Sequence, residues 1–480
     1  MTTRHRSGIG TLMVAAACFF LQAAQTQPAI AGPAEADWPR WETPEEARFS
    51  SEQVAEAGRL WSDLDGASQA AFFLAYKGKA LASFGDASKE YLCPAVRATM
   101  LNALYGTHVE NGDIDLEKTL EEVGIGDVPA LTRAERQAKI NHLLQARSGV
   151  YHEAACESQA MRDARPRRGS HAPGTFWHLN NWDVNALGTI FFLETGHEIF
   201  TEFDQKIARP LGMQDFQAGD CNYHWEMRYS IHPCYWFRMS ARDRARFGQL
   251  FLQNGKWGDR QIIPETWVEE STRSNSTLAP GIGFGYSWWV LGPEFFESAD
   301  PRLQHLRGFA ATNSFQDQLI LVLPDAEMVI VAASEASSGN AFKLDDAFPI
   351  MEKILTGREI VDLAALRARA KPRLASGADT LRIVAKTKNR SPNPSLPAEV
   401  DFYVSAEPSG AGDLRWIGSA GLAGLAAGEK KTIRLRAAVP SDLEPGSYYL
   451  ITVVDRDKDN YDLTRGNNVS ISKRAIEIGY

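Results

Sequence analysis

A handful of side chains in this chain have the type and spacing to do chemistry. Cys93 opens the segment "CPAVRATMLNALYG", 93–106, which reads as the start of a helix. A thiolate favoured by a helix N-terminus is a competent nucleophile, but it needs a base, and His178 is the candidate. The plainer readings are a half-cystine or buried thiol for Cys93, and a pocket-lining or solvated imidazole for His178. Beyond residue 31 the cysteines are Cys93, Cys156, Cys221 and Cys234. An even number in an exported chain favours disulfides. Cys221 with Cys234 is the preferred pair because it closes a short loop, leaving Cys93 with Cys156, though other pairings stay open. The lack of a C-x-x-C spacing argues against zinc. "DRDKDNYD", Asp455 to Asp462, alternates aspartates like the start of a calcium loop. Asn460 stands where that loop has glycine and Gly466 where it has glutamate, so a charged hairpin is the simpler reading. No cofactor or metal motif is read, and Gly-x-Ser-x-Gly and His-Glu-x-x-His are absent.

Several elements must position these groups. Pro94 suits a first helical position, and Val96, Met100, Ala103 and Leu104 recur near helical spacing. "TRAERQAKINHLLQARSG" predicts a helix that stops at Gly149, and "SARDRARFGQLFLQNG" one capped by Ser240 and ended at Gly255. "RDRAR", Arg242 to Arg246, reads as a solvated helix face. "GIGFGYSWWV" predicts a Gly-bounded aromatic strand in which Trp288 and Trp289 pack the sheet. "DQLILVLPDAEMVIVAAS" predicts a hairpin around Pro-Asp. Residues 360–370 predict a terminal helix and "KPRLASGAD" a linker, so 366–377 is the expected boundary. From 378 to 480 short alternating runs separated by turn residues predict a β-sandwich.

Composition sets the outer limits. A chain of 480 residues is long for one core, and 44% hydrophobic with 23% charged residues is ordinary for globular domains. A net charge of −9 speaks against a nucleic-acid partner. Arg4, His5 and Arg6, the short apolar run "GTLMVAAACFFLQAA" and the "AIA" ending at Ala31 read as a secretory signal peptide, 1–31. A lipid anchor on Cys18 is the alternative. Removing Arg4 and Arg6 takes the net charge from −9 to −11. No later apolar run is long enough to span a membrane. The expected location is the periplasm or the exterior.

The segments "VRATMLNALYG", "LLQARSGVYH", "GSHAPGTFWHLNNWDVNALG", "HPCYWFRMSARDRARFGQLFLQNGKWGDRQIIPETWV", "GYSWWV" and "DQLILVLPDAEMVIV" together resemble the serine β-lactamase and penicillin-binding protein family, close to class C enzymes and esterases. The resemblance covers about 90 to 355. It implies an α+β domain over 32–365, with an antiparallel sheet flanked by helices and a mostly helical lobe. It also implies three motifs: Ser-x-x-Lys at a helix start, Tyr-x-Asn, and Lys- or His-x-Gly on a strand. At the first place this chain reads Ala95-Val96-Arg97-Ala98, at the second Leu179-Asn180-Asn181, and the third falls near Phe315-Gln316-Asp317. None of the 13 tyrosines is followed by x-Asn. A single Ser-x-x-Lys occurs, at Ser470 to Lys473, in an expected strand where residues three apart face opposite ways. Asn181, Trp182 and Asp183 either line a retained cleft or tie loops together.

The 378–480 region resembles the cell-adhesion-related (CARDB), immunoglobulin-like domain of bacterial exported proteins, on "AEVDFYVS", "IGS", "LAAGE", "PGSYYLITVVD" and "NN". That resemblance implies an interaction or spacer module. The expectation is an exported pseudoenzyme that binds a cell-wall peptide, an acyl ligand or another exported protein. The alternatives are a hydrolase using Cys93, and a surface protein whose old pocket is filled by Leu179 and Phe315.

Overall fold

The computed structural model describes residues 38–479, apart from 95, 314–317, 336–343, 377–378, 410–412 and 458. The expected signal peptide and the positions Ala95, Phe315 and Asp317 lie outside the described residues. The chain divides into two compact units, 1–357 and 358–480.

The first unit is built on an eight-stranded antiparallel sheet. In spatial order its strands are Lys79–Gly85, Ala70–Tyr76, Met328–Ser334, Gln318–Leu323, Gly308–Asn313, Trp289–Leu291, Ile282–Phe284 and Ser276–Ala279. Helices α1 (Ser51–Ser62), α2 (Arg97–Glu110), α3 (Asn181–Thr195), α4 (Ala241–Leu252) and α5 (Leu344–Thr356) are the longest in this unit. The central strands are apolar without interruption because both faces are covered. In Ala70–Tyr76, Ala71, Phe73 and Ala75 join the core that includes α2, α3 and α4. Ala70, Phe72, Leu74 and Tyr76 join the opposite core, with Ala57 and Trp61 of α1 and Ile350, Met351 and Ile354 of α5. Helix α4 lies very close to the sheet: a Cβ at Gly248 would stand 2.5 Å from Val329 Cγ1.

The hairpin Gln318–Leu323 to Met328–Ser334 forms as expected, and Ser240 caps α4 by accepting from the Asp243 N–H at 3.2 Å. Other local expectations are corrected. The backbone turns at Pro94 and Val96, and α2 begins only at Arg97. The long helix expected before Gly149 is reduced to a 3-10 turn, Glu135–Gln137, and a short helix, Ile140–Leu144. "GIGFGYSWWV" is two paired strands, because the chain reverses between Phe284 and Trp289. "RDRAR" is not a solvated face: Asp243 and Arg244 are fully buried, and Arg246 nearly so.

The second unit is β-rich. One sheet pairs Leu363–Lys371, Thr380–Asn389 and Lys430–Ala438. The other runs Leu374–Ser376, Ile476–Gly479, Gly446–Val454, Ala398–Ser405 and Arg415–Leu422, with Val469–Ile471 also on Gly446–Val454. Both contribute to one apolar core around Val400, Phe402, Ile383 and Leu450. The expected helix at 360–370 and linker at 366–377 are corrected. "LAALRARAK" has good helix formers, yet it is a strand, since pairing with Thr380–Asn389 satisfies its backbone and buries Leu363 and Ala364. Leu374–Ser376 is a further strand, parallel to Ile476–Gly479.

Candidate functional site

The strand Glu90–Leu92 leads into α2 and is anchored by pairing with Arg238–Ser240. Cys93 follows it with no exposed surface. Its N–H donates to Phe237 O at 2.9 Å, and its thiol lies 3.5 Å from Tyr91 O. The buried Arg244 guanidinium braces the same turn, donating to Tyr91 O at 2.8 Å and Leu92 O at 3.2 Å. Burial pushes the Cys93 thiol up, so the protonated form is held.

Ala98, at the lysine place, is half-buried and packs on the core. Its neighbour Arg97 does not substitute for the missing ammonium. The Arg97 side chain is buried, donates to Asn185 Oδ1 at 2.7 Å, and lies 4.5 Å from the centre of the Tyr235 ring. Helix α2 is enclosed on most sides, and a Cβ at Gly106 would meet the Trp267 ring at 2.4 Å.

At the second place Leu179 is half-buried just before α3. Asn180 caps α3, its side chain accepting from the Asp183 N–H at 2.8 Å. Asn181, the one motif residue that matches, is engaged elsewhere: Nδ2 donates to Cys156 O at 2.8 Å. Trp182 and Asp183 are buried and tie segments together. Trp182 Nε1 donates to Asp127 Oδ2 at 2.7 Å, and Ser148 Oγ donates to Asp183 Oδ1 at 2.5 Å. His178 is half-buried, its ring set edge-on to Tyr151 at 5.8 Å. Burial lowers its pKa, so the ring stays neutral.

The preferred disulfide pairs, Cys221–Cys234 and Cys93–Cys156, are corrected. Cys93, Cys156, Cys221 and Cys234 are all free thiols, and their neighbours differ from the expected pairs. The Cys234 thiol pushes that of Cys156 up, and burial, with Cys93 adding to it, pushes the Cys221 thiol up. The expected Cys221–Cys234 pair assumed a loop closing on itself. Instead Cys234 enters a strand paired with Asn222–His224, and His224, not Cys221, stands opposite it.

Away from these positions, Asp455 is occupied within its own loop. It accepts from Asn460 N and Nδ2 at 3.2 Å and pairs with Arg465 at 3.6 Å. Ser470 lies on Val469–Ile471 and Lys473 beyond its end. Trp288 packs among Phe247, Phe251 and Phe309, as sheet packing requires. No helix among the described residues is long and apolar enough to cross a membrane.

Sequence reasoning missed Arg97 and Asp127. Asp127 accepts from Trp182 Nε1, Ser230 Oγ at 2.7 Å and Ile231 N at 3.0 Å, so it ties its own loop to two distant segments. Nothing in its local pattern marks it, since the side chains it ties together lie 55 to 103 residues away. Cavities among the described residues lie away from these positions. One, of about 290 Å³, is lined by residues including Trp38, Phe73, Asp86 and Arg242; the other, of about 230 Å³, by residues including Phe295, Phe348 and Met351. Neither is lined by a described motif position.

A search of curated protein sequences finds no match. Solved structures resembling the chain include a putative 6-aminohexanoate-dimer hydrolase from Bacillus anthracis, 18% identical, covering 67% of this chain and 87% of its own, with a TM-score of 0.47. A D-stereospecific amidohydrolase from Streptomyces sp. is 14% identical over 65% of this chain and 100% of its own, TM-score 0.46. A class C β-lactamase is 14% identical over 64% of this chain and 97% of its own, TM-score 0.45. The β-lactamase family model matches residues 99–353, more than half of the chain, and the chain therefore belongs to the β-lactamase family.

Proposed function

We propose that this protein is an exported β-lactamase-family member that no longer forms an acyl intermediate and acts by binding, its ligand a cell-wall peptide, an acyl compound or another exported protein. The observation that carries the reading is the sequence Ala95-Val96-Arg97-Ala98 at the family's Ser-x-x-Lys place, where neither hydroxyl nor ammonium is present. A serine alone is a weak nucleophile without an ionisable partner, and here both are missing. Losing one member of such a catalytic unit costs on the order of 10⁶ in rate. The nearest ionisable groups support the reading rather than rescue the chemistry. Arg97 is spent on Asn185 and Tyr235, and Cys93 is buried with its thiol protonated. The burial of Cys93 likewise speaks against the hydrolase alternative.

The second unit serves in this reading as a CARDB-like, immunoglobulin-like interaction or spacer module. The test is covalent labelling with a fluorescent penicillin and a fluorophosphonate, read by intact mass. No adduct and no ester turnover are expected. A stoichiometric adduct mapped to the first unit would overturn the reading.

A further inference from the structure

Three distant segments of the first unit bring soft and borderline metal donors together. His224 ends the strand Asn222–His224 and stands directly opposite Cys234 in the paired strand, so the two side chains share a face. Cys156 comes from a separate loop, held at both sides of its peptide. Its N–H donates to Glu226 Oε2 at 2.6 Å, and its carbonyl accepts from Asn181 Nδ2 at 2.8 Å. As a result the Cys156 sulfur, a His224 ring nitrogen and a Glu226 carboxylate oxygen all lie within 4.8 Å of one another. Cys234, opposite His224 in the paired strand, also interacts with the Cys156 thiol.

We propose that Cys156, Cys234, His224 and Glu226 form a zinc-binding site that fastens the Cys156 loop to the strand pair Asn222–His224 and Cys234–Trp236. Zinc bonds of about 2.3 Å to sulfur and about 2.0 to 2.2 Å to nitrogen and oxygen put neighbouring ligand atoms about 3.5 Å apart in a tetrahedron. Small side-chain rotations close the remaining distance. Thiolate and imidazole donors favour zinc over calcium or magnesium, which take oxygen. His224 is exposed, and Cys156 and Glu226 are half-buried, so the metal can enter from solvent. Asn181 is bonded to the carbonyl of one ligand, so the metal would steady the surviving asparagine of the second family motif. The inference is independent of whether the protein retains catalysis.

The experiment uses the full chain, reduced and stripped with a chelator, then titrated with Zn²⁺ against a chromophoric competitor. One zinc per chain is expected, and Co²⁺ in its place should give a thiolate-to-metal charge-transfer band. Cys156→Ser and His224→Ala should each weaken zinc by about tenfold or more, while Cys221→Ser should leave it unchanged. His224→Ala changes an exposed residue, so it remains informative if Cys156→Ser fails to fold. Failure of the reduced protein to take up zinc overturns the proposal, and so does non-reducing peptide mapping of the protein as isolated that finds Cys156 and Cys234 linked to each other. Unchanged affinity in His224→Ala also overturns it.

Discussion

Asp183 should hold its proton to higher pH in the folded protein than in the unfolded chain. It sits in the first turn of α3 with 1% of its surface exposed. Oδ1 accepts from Ser148 Oγ at 2.5 Å, and Oδ2 is buried with no hydrogen-bond partner. Desolvation holds its pKa well above the ordinary carboxyl value, against the opposing hydrogen bonds from Ser148 and Asn180. In the unfolded chain the same group ionises near a pKa of about 3.9. The sign follows from proton linkage: the stability is fully present below the unfolded pKa, where both states are protonated. It is lost as pH rises, by about 1.4 kcal/mol per pH unit, until the folded pKa is reached. In Asp183→Asn the amide oxygen keeps the Ser148 bond and the NH₂ replaces the carboxylic O–H, so this dependence disappears. The variant should therefore gain on the parent by about 1.4 kcal/mol per pH unit as pH rises from the unfolded toward the folded pKa. Urea unfolding at a series of pH values, followed by tryptophan fluorescence, measures the difference. Eleven of the 12 tryptophans lie in the first unit, so the signal reports the correct transition. Parallel stability profiles for parent and variant would refute the reasoning, because they would mean that Asp183 ionises normally in both states.

Cys93 should resist alkylation in the native protein, while Cys156 and Cys221, both half-buried, react first; rapid labelling mapped to Cys93 would show that its turn opens. His108 has its pKa raised: burial alone would lower it, but hydrogen bonds to Glu202 at 3.2 Å and Asp113 at 2.9 Å outweigh that. His197 also faces Glu202, at 3.5 Å, and is the other titratable group in this cluster. The stability from His108 is fully present below its unfolded pKa of about 6.5 and fades as pH rises through the folded value. His108→Gln should therefore be most destabilising near about pH 5 and least near about pH 9, and urea midpoints showing the reverse order would contradict the assignment. Gly248→Ala should destabilise by about 1–3 kcal/mol despite a helix-propensity gain of about 1 kcal/mol, because its methyl would meet Val329 Cγ1 at 2.5 Å and Ile320 Cγ2 at 3.1 Å. A raised unfolding midpoint would mean that α4 can lift from the sheet.

How much was legible beforehand differs by kind of residue. The hairpin Gln318–Leu323 to Met328–Ser334 and the strand Thr380–Asn389 were readable, because apolar runs and alternation act over a few residues and survive any tertiary context. The change at the helix start is also a sequence property: no folding of Ala95 and Ala98 can create a hydroxyl or an ammonium. The segment "LAALRARAK" was misread because its helix propensity, spread over nine residues, is outweighed by pairing with a strand that local reasoning does not bring alongside. "RDRAR" was misread for a related reason. Charge predicts solvent only until backbone donors and acceptors converge on it, as three N–H groups do on Asp243, at 2.8 to 2.9 Å, and two carbonyls on the Arg244 Nη2.

What the sequence alone determined is therefore the local pattern and the chemical inventory: which runs are apolar, which turns are sharp, and which reactive groups the chain lacks. Tertiary structure decided who meets whom. Cys156 adjoins Cys234, His224 and Glu226, and Arg97 turns to Asn185 rather than to the vacant lysine place. Such neighbours come from segments dozens of residues apart, and their proximity is set by how helices and strands pack rather than by any spacing along the chain.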